Sequence, residues 1–456
     1  MHRNHFILTL LALLIYSSLK AQPLPRKGSF DIKFRALDEA LAEKVAAKSK
    51  NGLLVINVLG GGTFEAAGIK PRDIITEVNG FEIKDPGFLK QSGINWREGE
   101  KITLKVEREG QLISLKSKVV GKARESSTDY DVIYGSTRFK SSNLSTITTK
   151  PKGEGPFPSI FFIPGYNCIS LDKLNSIHPY AKLIDQFTRM GYLVHRIEKP
   201  GMGDSEGSLQ CEEIDFPTEV EVFKTGYQDM LKQNDVDTSN TYIFGHSLGG
   251  YVAPFISAKY PVKGVMVYGT ANGNWHEYLL QMVRFQNPRF GEDYVKVEED
   301  MKLYWKLFEG LSMEDRSPKE LVQENPTYER LLKTALLWDG DEKLLGRTYR
   351  FNNSIDDLNT TKAWSETKAN VLVMYGEADF EAIDPRASKE IVEIVNHYHP
   401  GKGTYQFIEE TDHLMVKAGT MKEAIELKNS KQYIPVLKTN FNHEIAKTMD
   451  FWIKNL

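Results

Sequence analysis

Residues 241–255 read Thr241-Tyr-Ile-Phe-Gly-His-Ser-Leu-Gly-Gly-Tyr-Val-Ala-Pro-Phe255. An aromatic and β-branched run stops at Gly245, a serine stands at 247, and Gly249 and Gly250 open an amphipathic run. The pattern predicts a strand, a sharp turn and a helix, with Ser247 at the apex of the turn. Glycines belong on either side because larger side chains would collide with the adjoining strand and helix. A helix that begins at such a turn aims its first N–H groups at negative charge developing beside the serine.

The chain around this stretch repeats a strand–loop–helix rhythm. Ser159-Ile-Phe-Phe-Ile163, Gly191-Tyr-Leu-Val-His-Arg-Ile197 and Val262-Lys-Gly-Val-Met-Val-Tyr-Gly269 read as strands, while residues 180–190 and 216–233 read as helices. Alternation of this kind predicts an α/β fold with a doubly wound, mostly parallel sheet, whose active groups cluster at the C-terminal strand ends. The rhythm breaks at about Ala271 and resumes at Val371. The interval, including residues 294–308 and 331–345, has a helical pattern and reads as an inserted cap over the site, set at residues 271–365.

Gly-x-Ser-x-Gly also occurs at Gly203-Asp-Ser-Glu-Gly207. Ser205 has no strand-like run directly before it, and Gly207-Ser-Leu-Gln-Cys-Glu-Glu213 is no helix start, so Ser205 is read as a loop residue. Ser247 is the candidate nucleophile. It needs a base, and the base an orienting acid; in a fold of this kind the chain order is Ser, acid, His. Val371-Leu-Val-Met-Tyr-Gly376 is a strand that ends in Glu377-Ala-Asp379, which makes Asp379 the candidate acid, with Glu377 and Asp384 as alternatives. Thr404-Tyr-Gln-Phe-Ile408 leads into Glu409-Glu-Thr-Asp-His413; among the ten histidines, His413 has the order, the strand end and the spacing of the base. His246 adjoins Ser247, but neighbouring side chains at a tight turn point apart. The His397/His399 pair lacks a matching ligand cluster, so no metal and no cofactor are expected. The oxyanion donors expected are the N–H groups of Leu248 and of Tyr166, the latter in Pro164-Gly-Tyr-Asn-Cys168, where Gly165 allows close backbone approach.

These motifs, with Phe162-Ile-Pro-Gly-Tyr166, Glu198-Lys-Pro-Gly-Met-Gly-Asp-Ser-Glu-Gly207, Tyr375-Gly-Glu-Ala-Asp379 and Thr411-Asp-His413, resemble the α/β-hydrolase superfamily, in its branch of secreted esterases, lysophospholipases and serine aminopeptidases. The resemblance covers residues 126–456 and implies two-step acyl transfer through Ser247, His413 and Asp379 on a small ester or peptide substrate. A carboxylic ester is the first expectation. An aminopeptidase would require acids in the cap for an α-ammonium, for which Glu298, Glu299 and Asp300 are candidates. The resemblance also makes the Gly-Met-Gly-Asp-Ser turn a loop beside the site.

Residues 28–120 differ in character. Gly52-Leu-Leu-Val-Ile-Asn-Val-Leu-Gly60, Ala66-Ala-Gly-Ile-Lys-Pro-Arg-Asp-Ile-Ile-Thr-Glu-Val-Asn-Gly80 and a closing hairpin from Gly99 onward predict strands with one short helix. The second run resembles bacterial PDZ domains, with Arg72 where those have glycine. The resemblance implies capture of a peptide C-terminus near Ser29-Phe-Asp-Ile32 or, since Asp31 replaces the usual glycine of that loop, a purely structural or docking role. A linker at 121–125 joins this domain to the α/β domain at 126–456, which opens with an edge hairpin.

With 456 residues, 41% hydrophobic content and a net charge of −3, the chain suits two folded domains and gives no footprint for nucleic acid. Phe6-Ile-Leu-Thr-Leu-Leu-Ala-Leu-Leu-Ile-Tyr16 follows a short basic head and is too short to span a bilayer; with Ala21 as a cleavage point, residues 1–21 read as a secretory signal. No later segment is long and apolar enough for a stable membrane span, so a secreted or periplasmic location is expected. The two cysteines, Cys168 and Cys211, then invite a disulfide, one that would pin the oxyanion loop to the Gly-Met-Gly loop.

Overall fold

The computed structural model describes residues 22–84, 96–174 and 176–456, and the expected signal segment lies outside them. The chain divides into two compact units, Leu24–Glu125 and Ser126–Leu456.

The first unit is an antiparallel sheet in the order β1-β2-β3-β5-β6, made of β1 (Ile32–Ala36), β2 (Leu53–Val58), β3 (Ile74–Val78), β5 (Lys101–Arg108) and β6 (Gln111–Lys118), with β4 (Phe81–Glu82) on β3. Helices α1 (Glu39–Lys44) and α2 (Thr63–Ala66) accompany it. Its core gathers Val55, Phe64, Ile75 and Leu104, all buried. Arg72 has φ +74°, which explains why a glycine suits that turn; an L side chain there costs about 1 kcal/mol. Asp31 accepts a hydrogen bond from the Ser29 hydroxyl.

The second unit opens with the hairpin β7 (Tyr130–Phe139) and β8 (Ser142–Pro151), then β9 (Phe157–Ile163), α3 (Pro179–Arg189), β10 (Leu193–Ile197), α4 (Phe216–Met230), β11 (Val236–His246), α5 (Leu248–Ser257) and β12 (Gly264–Tyr268). The inserted segment carries α6 (Trp275–Arg289), α7 (Tyr294–Ser312), α8 (Pro318–Glu324), α9 (Thr327–Leu336), the short pair β13 (Lys343–Leu344) and β14 (Arg347–Thr348), α10 (Tyr349–Asn353) and α11 (Thr360–Glu366). The fold closes with β15 (Asn370–Gly376), α12 (Arg386–Tyr398), β16 (Gly403–Ile408), α13 (Met421–Lys428), α14 (Tyr433–Thr439) and α15 (Glu444–Lys454). The sheet order is β16-β15-β12-β11-β9-β10-β8-β7, with parallel pairing from β16 to β10 and antiparallel pairing at β8. This is the α/β-hydrolase arrangement of a doubly wound, mostly parallel sheet.

Successive residues of the central strands feed two cores. Phe161, Ile163, Ile243, Val265, Val267, Val371 and Val373 face α4, α5 and the insertion. Ile160, Phe162, Tyr242, Phe244, Met266, Leu372 and Met374 face α3 and α15. A strand buried on both faces reads as an unbroken apolar run. Register brings the strand ends level: Gly245 pairs with Ile163 and Val267, Tyr268 with Met374, and Gly376 with Ile408.

The insertion departs from expectation in one place. The helical reading of residues 331–345 stops at Leu336, because Leu337 turns left-handed at φ +46° and Gly340 follows at φ +92°. The Asp339-Gly340-Asp341 run makes a turn, and its side chains hydrogen-bond the local backbone (Asp339 Oδ1 accepts from the Asp341 and Lys343 N–H groups), so the backbone folds into the β13/β14 pair.

Candidate active site

Ser247 stands between the last residue of β11 and the first of α5 with φ 53° and ψ −122°, a strained conformation for a residue with a side chain. Its N–H bonds the carbonyl of Tyr268 on β12 at 3.0 Å. The turn tolerates no larger neighbours. A Cβ on Gly245 would lie 2.5 Å from the Gly249 carbonyl oxygen, one on Gly249 2.5 Å from that of Ile163, and one on Gly250 would strike the Thr270 side chain. Ser205, by contrast, is buried, and its hydroxyl accepts the Ser145 N–H at 3.0 Å.

The loop after β15 carries Asp379, fully buried, and the loop after β16 carries His413. His413 Nδ1 lies 2.9 and 3.0 Å from the two carboxylate oxygens of Asp379, one of which also accepts the Ala382 N–H at 2.9 Å. The alternatives are engaged elsewhere: Glu377 accepts the Glu410 N–H at 2.8 Å, and Asp384 pairs with Arg386 at 2.6 Å. Burial alone would lower the pKa of His413, but the charges of Asp379 and Glu381 and the hydrogen bond to Asp379 raise it to about 9. Ser247 and His413 line one cavity of about 720 Å³ together with Gly165, Tyr166 and Leu248.

Leu248 is the first residue of α5, where an N–H has no intrahelical acceptor. Gly165 approaches so closely that a Cβ on it would lie 3.2 Å from Ser247 Cβ. Lys199 Nζ donates to the carbonyls of Gly165 at 2.9 Å and Tyr166 at 3.2 Å, and Arg347 donates to the Tyr166 carbonyl at 3.2 Å. In a trans peptide the carbonyl and the next N–H point opposite ways. Lys199, by holding the Gly165 carbonyl, therefore turns the Tyr166 N–H away from itself. Lys199, Arg347 and Glu219 form one buried ion cluster, with Glu219 2.9 Å from Lys199 and 2.6 Å from Arg347.

A second network braces the same loops. Burial pushes the pKa of His246 down to about 3, so its ring is neutral. Its Nε2 donates to the carbonyl of His413 at 2.8 Å, which leaves Nδ1 as an acceptor for the Tyr180 hydroxyl at 2.6 Å. The Tyr180 oxygen in turn accepts the Gly165 N–H at 3.1 Å. The donors run one way, from the Gly165 N–H to the His413 carbonyl, and tie the loop after β9, the Ser247 turn and the His413 loop together.

Cys168 and Cys211 are bridged, with Cα atoms 5.8 Å apart. The bridge ties the loop after β9 to the loop that follows the Gly-Met-Gly turn. Arg347 of the insertion donates to the Cys211 carbonyl at 2.8 Å, so the same loop is also held from the insertion.

The insertion walls the cavity with Trp275, Tyr278, Met282 and Phe290. Of the acids singled out for an α-ammonium, Asp300 pairs with Arg330 and Lys296, each at 2.8 Å, Glu298 pairs with Arg284, and none of the three lines the cavity. Glu381 and Lys428 do line it, 2.8 Å from each other. Among the described residues no group of metal-ligating side chains is positioned to hold an ion, and no helix is long and apolar enough to cross a membrane.

A serine at a strained strand–helix turn, a histidine gripped by a buried carboxylate and backbone donors beside the same cavity define a serine hydrolase of the α/β class. Residues 174–417 match the family model described as serine aminopeptidase, S33, and residues 32–119 match that of the PDZ domain. The chain belongs to this S33 hydrolase family and carries a PDZ domain before it. It is 29% identical over 125 residues to the esterase EstD of Thermotoga maritima, covering 26% of this chain and 28% of that protein. It is 29% identical over 99 residues to the serine protease Do-like HtrA of Lactobacillus helveticus, covering 21% of this chain and 24% of that one. A protein of Chlamydia muridarum described as "Probable periplasmic serine endoprotease DegP-like" is 28% identical over 89 residues, covering 20% of this chain and 18% of that one. The chain thus spans between 18% and 28% of the length of these curated relatives. Among solved structures, the Pyrococcus furiosus esterase Pf2001 is similar with a TM-score of 0.43 and 12% identity, covering 72% of this chain and 91% of that one. The Pyrococcus horikoshii acylaminoacyl peptidase has a TM-score of 0.40 and 13% identity, covering 75% and 48%.

Proposed function

We propose that this chain is an exported hydrolase that cleaves a carboxylic ester through Ser247, His413 and Asp379. The observation that carries the reading is the two-oxygen grip of the buried Asp379 on His413 Nδ1 beside the cavity that Ser247 lines. His413 Nε2 takes the serine proton as Oγ attacks the carbonyl carbon, and Asp379 stabilises the imidazolium that forms. The oxyanion is met by the N–H groups of Leu248 and Tyr166. Collapse of the tetrahedral adduct breaks the ester C–O bond, and the imidazolium gives its proton to the departing alkoxide. Water, deprotonated by the same histidine, then releases the acid from Ser247. An ester is favoured over an aminoacyl peptide because Glu298, Glu299 and Asp300 stand off the cavity. Export is supported by the disulfide and by the periplasmic DegP-like relative. In the PDZ unit, the negative charge of Asp31 in the loop that would hold a carboxylate favours a docking role over capture of a peptide C-terminus.

The test is active-site labelling with a fluorophosphonate, combined with turnover of a short-chain nitrophenyl ester and an aminoacyl nitroanilide. Ser247→Ala should abolish labelling and ester turnover, while Ser205→Ala should keep both. Labelling that survives Ser247→Ala would overturn the assignment, and faster turnover of the anilide would convert the reading to a peptidase.

A further inference from the structure

The far side of the histidine from Asp379 faces a second carboxylate. His413 Nε2 is 3.5 Å from Glu381 Oε2, and Glu381 Oε1 is held by Lys428 Nζ at 2.8 Å. All three residues line the cavity. In acyl transfer the imidazolium returns its proton to the leaving group from Nε2. A group so close to Nε2 therefore stands beside the leaving group and not beside the acyl chain.

The charge there is unbalanced. While the base is neutral and awaiting attack, Asp379 and Glu381 are negative and Lys428 alone is positive, and Glu292 adds another carboxylate to the cavity wall. With the imidazole neutral, burial disfavours the Glu381 carboxylate, while the charge and hydrogen bond of Lys428, 2.8 Å away, favour it. The neighbouring aromatic face is suited to a cation too, since Lys428 Nζ sits over the Phe380 ring, 5.3 Å from its centre.

We propose that Glu381 and the face of Phe380 select esters whose leaving group carries an ammonium centre close to the scissile bond. The proposal rests on the reading of Ser247, His413 and Asp379 as an acyl-transfer site. Glu381 is 36% exposed, so water screens the attraction and the selection is modest, about fivefold, the scale of a well-formed but partly solvated ion pair.

Three thioesters with one acyl group separate the possibilities in the full chain: acetylthiocholine, its neutral carbon isostere, and an S-acetyl mercaptocarboxylate. Released thiol is read with a chromogenic disulfide, against a protein whose own cysteines are bridged. The expected order of kcat/KM at low salt is cationic, neutral, anionic, and high salt should compress it. Glu381→Gln should bring the cationic-to-neutral ratio close to one, and Lys428→Met should raise that ratio by removing the competing cation. A wild-type ratio of one or less, or a ratio that neither substitution moves, overturns the proposal. Failure to hydrolyse even the neutral thioester overturns the acyl-transfer reading itself.

Discussion

Gly269→Ala tests whether the pair formed by Asp379 and His413 is as tightly boxed as its contacts indicate. Gly269 follows the last residue of β12 with φ +63°, and its N–H bonds the Met374 carbonyl at 3.2 Å. A Cβ there would lie 2.6 Å from Asp379 Oδ2, 3.0 Å from His413 Nδ1 and 3.2 Å from His413 Cε1. Ordinary contact begins near 3.4 Å, so the carboxylate must give by about 0.8 Å. Asp379 has little room to do so, being fully buried with Oδ1 also tied to the Ala382 N–H. Misplacement of a reacting group on the order of 1 Å costs about a hundredfold in rate, and the left-handed backbone adds about 1 kcal/mol of strain for alanine. Gly273 supplies the control, because its φ is +81° and a Cβ there meets nothing within 4 Å. Both substitutions should lower the calorimetric Tm by a few degrees. Only Gly269→Ala should lower kcat/KM for a chromogenic ester, by about a hundredfold, and slow fluorophosphonate labelling in parallel. Activity of Gly269→Ala within about threefold of wild type would refute the boxed-pair reasoning.

Three further outcomes follow from the same geometry. Because burial is outweighed by Asp379 and Glu381, the folded pKa of His413 stands above the ordinary 6.5 at about 9; with His413 as the proposed base only its neutral form takes the serine proton, so kcat/KM should climb up to about pH 9, and Glu381→Gln should move that limb down. The stability His413 contributes has the opposite sense, being complete below pH 6.5 and lost as pH rises through about 9; a wild-type rate limb at 6.5 or below would contradict both statements. Lys199→Met leaves the buried Glu219 with Arg347 alone and should cost roughly 3 kcal/mol in stability, with a fall in kcat and in trifluoromethyl-ketone affinity at nearly constant KM; unchanged affinity for the ketone would separate Lys199 from the oxyanion loop. Thiol titration of the denatured chain should find none without reductant and two with it, and serine at Cys168 and Cys211 should lower stability by up to about 4 kcal/mol across the 43-residue separation, whereas equal titration in both conditions would remove the bridge.

The stretch around Ser247 was readable because its information is local. Strand, turn and helix succeed one another within fifteen residues, and the glycines there are required by Gly249, by Ile163 of β9 and by Thr270 just past β12. The unbroken apolar runs of β9, β11 and β15 announce strands covered on both faces, and their order along the chain announces the parallel sheet. The segment 331–345 misled because apolar spacing at helical period continues past Leu336, while the left-handed Leu337 and the Asp-Gly turn end the helix.

The sequence by itself pointed to the fold class and to the candidate nucleophile, acid and base through periodicity and strand-end position, and to the PDZ unit through a resemblance, all carried by short windows. Tyr180, Lys199, Glu219, Arg347, Glu381 and Lys428 carry no such signal. Arg347 meets Glu219 across 128 residues, and Tyr180 meets His246 across 66. A lysine or glutamate in a loop looks the same in sequence whether it points to water or is buried against a carbonyl. Only the tertiary structure decides this, since the cost of burying a charge is recovered solely by partners that folding brings from elsewhere in the chain.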